Sequence, residues 1–122
     1  MEAFEETIAA PPRDVWGFIV DPAALSAWFG AEAWLDPVDG GAVRFRFGDG
    51  SQRRGTVERV DRFRAIRWRW REHRGAGFAL ELGAASTVTI ELTQDGPGTR
   101  VRITEEPALP VDAGSAGGRR TR

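Results

Sequence analysis

Three stretches, Val43-Arg44-Phe45-Arg46-Phe47, Ile66-Arg67-Trp68-Arg69-Trp70-Arg71 and Val101-Arg102-Ile103, alternate apolar and basic residues without a break. Successive side chains on a β-strand project to opposite faces, so each stretch presents Val, Phe, Ile or Trp on one side and Arg on the other. The pattern predicts an antiparallel sheet with one apolar and one charged face. Phe45, Phe47, Trp68 and Trp70 share the apolar side. That side calls for a cover, either a helix or a ligand.

The punctuation around these stretches is that of a meander. Asp39-Gly40-Gly41, Gly48-Asp49-Gly50, Asp61-Arg62 and Asp95-Gly96-Pro97-Gly98 are turn signals separating strands predicted near 32–38, 43–47, 52–60, 64–72, 86–93 and 99–105. Phe4 to Ala9 adds a strand at the start, making seven. Pro12 opens a helix to about Val20, with Val15, Phe18 and Ile19 on one face and Trp16 beside them. Asp21 and Pro22 start a second helix as N-cap and first residue, Leu25, Trp28 and Phe29 form its apolar stripe, and Gly30 ends it. Residues 74–85 read either as a loop or as an irregular strand edge. Residues 1–110 are taken as one domain and the Gly- and Arg-rich stretch 111–122 as a disordered basic tail.

Composition narrows the chemistry. A chain of 122 residues and 13.4 kDa suits a single domain. There is no Cys and a single His, His73, so thiol nucleophiles and His-rich or Cys-rich metal sites are excluded, and neither a metal nor a cofactor is expected. No apolar run approaches the roughly 20 residues of a membrane span. The acidic start Met1-Glu2-Ala3-Phe4-Glu5-Glu6 lacks the positive region of a secretory signal, so a cytoplasmic protein without a membrane partner is expected. All 17 basic side chains are Arg, which points to a GC-rich genome more than to a function.

Charge is distributed unevenly. Residues 1–42 carry one Arg and eight acids, net −7, whereas residues 43–74 carry eleven Arg and four acids, net +7. The alternating Arg residues are read as a solvated outer face that also pairs with the acidic N-terminal part. A nucleic-acid partner is not expected, because aromatic side chains able to stack on bases lie on the opposite face.

Several local phrases, in order, resemble a known family. They are Ile8-Ala9-Ala10-Pro11-Pro12-Arg13-Asp14-Val15-Trp16, then Asp21-Pro22 with Leu25, Trp28, Phe29 and Gly30, then Gly40-Gly41-Ala42-Val43-Arg44-Phe45. Gly55-Thr56-Val57-Glu58-Arg59-Val60, Ile66-Arg67-Trp68, Ser86-Thr87-Val88-Thr89-Ile90-Glu91-Leu92 and Gly98-Thr99-Arg100-Val101-Arg102-Ile103-Thr104 follow. The chain resembles the START-like or SRPBCC helix-grip superfamily, and within it the family named after the activator of the heat-shock protein 90 ATPase. The resemblance implies an α+β helix-grip fold: a curved antiparallel sheet of about six to seven strands, two short helices after the first, and a long C-terminal helix over an elongated apolar cavity. Here the segment after Glu106 is too broken by Pro and Gly for that helix, which is therefore expected to be absent or truncated. Leaving about 400 Å² of apolar sheet exposed would forgo about 10 kcal/mol, so a second copy of the chain or a partner helix is the expected cover.

Members of that superfamily mostly bind hydrophobic small molecules, and no catalytic motif transfers to this chain. The resemblance and the residues together imply a non-catalytic domain that binds a small hydrophobic ligand. The alternatives are a co-chaperone-like domain stimulating a chaperone ATPase and a polyketide cyclase or aromatase. Trp28, Phe29, Phe45, Phe47, Trp68, Trp70 and Glu105 are the candidate ligand-binding residues, Glu105 because it continues the apolar register of Val101 and Ile103. His73, just past the strand predicted to end at Glu72, is read as a solvated loop residue, adjacent strand residues face opposite ways so that it and Glu72 do not work together, and Ser86 lacks a nucleophile setting, so none is assigned catalysis.

Overall fold

The computed structural model describes residues 2–74 and 81–107. The chain runs β1 (Glu2–Ile8), α1 (Pro12–Ile19), α2 (Pro22–Phe29), β2 (Glu32–Leu35), β3 (Ala42–Arg46), β4 (Gln52–Asp61), β5 (Ala65–Arg74), β6 (Glu81–Asp95) and β7 (Gly98–Pro107). All seven strands join one antiparallel sheet in the order β1-β7-β6-β5-β4-β3-β2. The first strand therefore pairs with the last, and both helices, which follow β1 directly, lie over the same face. This is the helix-grip α+β architecture expected from the sequence.

Local chemistry explains the elements. Pro11 and Pro12 open α1 with extended geometry at Pro11 (φ −68°, ψ 158°) and no side-chain cap. In α2 the Asp21 carboxylate accepts from the Ala24 N–H at 3.2 Å, Pro22 occupies the first turn, and Gly30 ends the helix in the left-handed region at φ 66°. Ser26 Oγ then accepts from the Ala33 N–H at 2.9 Å, tying α2 to β2. Thr99, fully buried, donates its hydroxyl to the Ala10 carbonyl at 2.7 Å and pins β7 to the link between β1 and α1.

Two sequence expectations shift. Phe18 was grouped with Val15 and Ile19, yet it is 69% exposed while Trp16 is buried. Each residue turns a helix by about 100°, so Val15, Ile19 and Trp16 span one arc and Phe18 falls outside it. The strand predicted at 32–38 ends at Leu35, because Asp36-Pro37 begins a tight turn in which Val38 N–H donates to Asp36 O and Gly41 N–H to Val38 O, both at 2.8 Å. β5 continues to Arg74 and β6 starts at Glu81, which favours the strand-edge reading at both ends of 74–85; residues 75–80 lie outside the described residues. So do the tail 111–122 and the segment in which the long helix was expected to be absent.

The sheet curls so that its inner face holds the core. Val43, Phe45, Val57, Ile66, Trp68, Trp70, Val88, Ile90, Leu92 and Val101 are all buried there with Leu25 of α2 and Val15, Trp16 and Ile19 of α1. Register shifts occur between Val57 and Arg59 and between Arg71 and His73, and such bulges increase local twist. Gly55 allows the tightest approach: a Cβ built there would sit 1.8 Å from the Arg69 carbonyl oxygen and 2.5 Å from the Trp70 Cα. Gly55→Ala is therefore expected to destabilise the domain by about 3 kcal/mol or more. A denaturant titration that finds the variant within experimental error of the parent would refute this account of the curl.

Candidate functional site

The inner face carries a continuous run of aromatic rings. Phe4 meets Trp28 edge-on at 6.2 Å between centroids, Trp28 meets Phe29 at 5.8 Å, Phe29 meets Phe45 at 5.1 Å, Phe45 meets Trp70 at 5.1 Å, and Trp70 meets Trp68 at 5.6 Å. These spacings and tilts are those of favourable aromatic pairs. Burial falls along the run. Trp68 and Phe45 are 0% exposed and Trp70 is 5% exposed, whereas Trp28 is 38% and Phe4 46% exposed.

The expected binding residues accordingly divide. Phe45 and Trp68 are packed core, and Phe29 lies half-buried on Phe45. Trp28, Phe29 and Glu105 line one cavity of about 310 Å³ together with Ala3, Phe4 and Ile103. Phe47 is partly buried and borders a separate hollow beside Gly30 and Arg46. The cavity sits between the end of α2 and the paired strands β1 and β7, where Phe4 faces Ile103 across the ladder. A wider open cleft of about 730 Å³ lies near Pro12 and the β4–β5 turn, but Arg59, Arg62, Arg64, Arg67, Asp61 and Glu91 border it, a lining unsuited to an apolar ligand.

At one end of the apolar cavity stands a polar cluster. Glu105 Oε2 accepts from Arg53 Nη1 at 2.8 Å, from Trp70 Nε1 at 3.0 Å and from Ser86 Oγ at 2.5 Å. Strand register assembles it: Ser86 pairs with Trp70, Glu105 with Val88, and Arg53 with Phe45, all on the inner face. The Arg53 guanidinium also lies over the Trp70 ring at 5.3 Å from its centroid. A second concavity of about 290 Å³ opens on the far side of Glu105, between Arg53, Glu72, Ser86 and Pro107. Trp68 Nε1 is the one buried side-chain polar atom without a partner among the described residues.

Burial of Glu105 raises its proton affinity, but the hydrogen bonds from Ser86 and Trp70 and the Arg53 charge outweigh it and hold the carboxyl below its ordinary value. A carboxylate held charged by three donors anchors a polar group well and abstracts protons poorly. His73, on the opposite face and paired with Gln52, cannot assist it. Register signalled Glu105 in the sequence; Arg53 and Ser86 were missed. The signal for Arg53 was present, since adjacent Arg53 and Arg54 on a strand must place one guanidinium on the apolar side.

The linkage has a definite sign. A carboxyl whose pKa is lower folded than unfolded adds stability above its unfolded value of about 4.3, and that stability is lost as pH falls through the folded value. The melting temperature of the parent should therefore exceed that of Glu105→Gln at neutral pH, with the gap narrowing once pH drops below about 4. A gap that stays constant down to the acid limit would show that the carboxylate is not held this way.

The family described as Activator of Hsp90 ATPase homolog 1-like protein matches residues 9–120. A search of the curated proteins finds no match. Among solved structures, protein MLL2253 from Mesorhizobium loti is 21% identical with a TM-score of 0.72, the match covering 89% of this chain and 77% of that one. Protein CV1439 from Chromobacterium violaceum is 26% identical with a TM-score of 0.69, covering 87% and 78%. CalU16 from Micromonospora echinospora is 24% identical with a TM-score of 0.60, covering 84% and 57%. The curled sheet, the two helices after β1 and a family match over most of the length agree, and the chain belongs to the Activator of Hsp90 ATPase homolog 1-like family.

Proposed function

We propose that this domain binds a small, mainly apolar molecule in the cavity between α2 and the β1–β7 edge, with a polar group of that molecule directed to the Arg53–Glu105–Ser86 cluster. The observation that carries the reading is the junction of two environments at Glu105. Phe4, Trp28, Phe29 and Ile103 form apolar walls on one side, and a charged, hydrogen-bonded cluster stands on the other. Small-molecule sites combine those features, since apolar contact supplies affinity and a few fixed polar groups supply orientation.

Binding without chemistry is favoured because Glu105 is held charged and His73 lies on the other face. No described helix is long and apolar enough to cross a membrane, and the cytoplasm is the compartment this reading assigns. A second copy of the chain, or a partner helix, is the competing occupant of the same exposed edge, with Phe4 and Trp28 as its contacts.

Trp28 reports directly on the site. Titrating a panel of apolar alcohols and carboxylic acids should give saturable quenching or a blue shift of Trp emission from a monomer by light scattering. Phe4→Ala should weaken that response about tenfold, the loss expected from about 50 Å² of apolar contact. A folded dimer whose emission ignores every ligand would overturn the reading in favour of self-association. Stimulation of a chaperone ATPase or turnover of an aromatic polyketide would overturn it in favour of a co-chaperone or an enzyme.

A further inference from the structure

The outer face of the sheet holds a charge arrangement that the apolar cavity does not use. Arg44 of β3 is the direct cross-strand partner of Arg54 on β4, and Arg54 that of Arg71 on β5. Three Arg side chains thus stand in one row with neighbouring Cβ atoms about 5 Å apart, and like charges so placed destabilise a sheet. Arg69 lies two residues back along β5 on the same face, across from Thr56, and His73 two residues beyond Arg71.

The nearby carboxylates of β2 and β4 are committed elsewhere. Glu32 pairs with Arg46 at 2.9 Å, Glu58 with Arg67 at 3.5 Å and Asp61 with Arg59 at 3.9 Å. Among the described residues, no carboxylate lies within 4.0 Å of Arg44, Arg54, Arg69 or Arg71. The acidic first third of the chain, expected to neutralise the Arg run, contributes only the Glu32 pair among the described ion pairs. Arg54 Nε instead donates to Gln52 Oε1 at 2.9 Å, and the Arg44 guanidinium rests on the exposed Trp34 ring at 4.2 Å. A concavity of about 410 Å³ opens among Arg54, Thr56, Arg69, Arg71 and His73, with Glu58, the acid paired to Arg67, also on its wall.

A face made only for solubility is best served by interspersed charges of both signs. A registered row of one sign, bordering a concavity, is better explained by a counter-charge that arrives from solution. We propose that the outer concavity is an anion site for a small molecule bearing two or more adjacent phosphate groups, which Arg54, Arg69 and Arg71 grip through phosphate oxygens while Thr56 donates its hydroxyl and Arg44 adds positive charge from the next strand. Strand spacing sets the ligand size. Arg54 and Arg71 start about 5 Å apart across the ladder and Arg69 and Arg71 about 7 Å apart along the strand, and three forked guanidinium groups together offer more donors than a single phosphate uses. Guanidinium groups suit this task because their fork of donors matches phosphate oxygens in pairs. Nucleic acid is disfavoured: the stacking rings lie on the inner face, and the exposed Trp34 already carries Arg44.

Melting of the full chain, followed at matched ionic strength in sodium chloride, pyrophosphate, tripolyphosphate and ADP, tests the site, with calorimetric titration of pyrophosphate beside it. Pyrophosphate should raise the melting temperature above the chloride control and saturate. Arg54→Gln should raise the melting temperature of the unliganded protein at low salt, by relieving the row, and weaken pyrophosphate binding about tenfold or more. Arg100→Gln removes a charge of equal size from β7, where Arg100 faces Asp95 at 3.6 Å, and should leave binding unchanged. ADP binding tighter than tripolyphosphate would identify a nucleotide as the source, and the reverse order a phosphate chain. Pyrophosphate indistinguishable from chloride, or equal losses in the Arg54 and Arg100 variants, would overturn the site. So would a single-stranded oligonucleotide that binds while pyrophosphate does not.

Discussion

Phe45, Trp68 and Trp70 must be kept from water, and the domain is arranged around that requirement. Each large aromatic buries about 200 Å² of surface, worth about 5 kcal/mol as an upper figure. A sheet alone cannot shelter rings of that size. The curl at Gly55 and at the two register shifts brings neighbouring strands around them, and α2 closes the hollow by laying Phe29 on Phe45 at 5.1 Å. Pairing of β1 with β7 then follows from chain connectivity. The helices leave β1 directly, so β1 must lie where α1 can deliver Val15, Trp16 and Ile19 to the same core.

Packing this tight leaves little open space at the centre, and that moves the candidate site outward. Burial declines from Trp68 to Trp28, and the cavity forms where the aromatic run reaches the β1–β7 edge. The polar cluster marks the same boundary from the other side. A charge pair deep among Phe45 and Trp68 would lose more hydration than it regains, whereas Arg53 and Glu105, about one-third exposed, keep part of theirs and gain three hydrogen bonds. Ser86 and the Trp70 indole complete that shell because the β5–β6 register places them opposite each other.

Much of this was legible in the residues. Strand count, both helices, the Asp21 and Gly30 helix boundaries and the inward direction of Phe45, Trp68, Trp70 and Glu105 came from period and punctuation, which act locally. What escaped was set by tertiary contacts. Phe18 and Trp16 are both aromatic neighbours on an eight-residue helix, and only the direction in which α1 meets the sheet decides between them. Nothing in the strand around Phe4 marks it for the cavity, because its partner Trp28 is distant in sequence. Which rings of the apolar face would be walled in and which left open depended on where α2 ends, a quantity that alternation along a single strand does not contain.

Alternation also links the two faces. On β4 the adjacent pair Arg53 and Arg54 cannot share a side, so one guanidinium enters the aromatic interior and the other joins Arg44 and Arg71 outside. The inner one finds Glu105 and becomes part of a neutralised, hydrogen-bonded shell. Among the described residues the outer one finds only Gln52 and two more cations. The same two-residue sequence thus produces a satisfied charge and an unsatisfied one separated by the thickness of a single strand. Since β5 contributes Trp70 to the inner cluster and Arg71 to the outer row, any shift in its register would disturb both together. The inner cluster and the outer row therefore rest on the same two strands, β4 and β5.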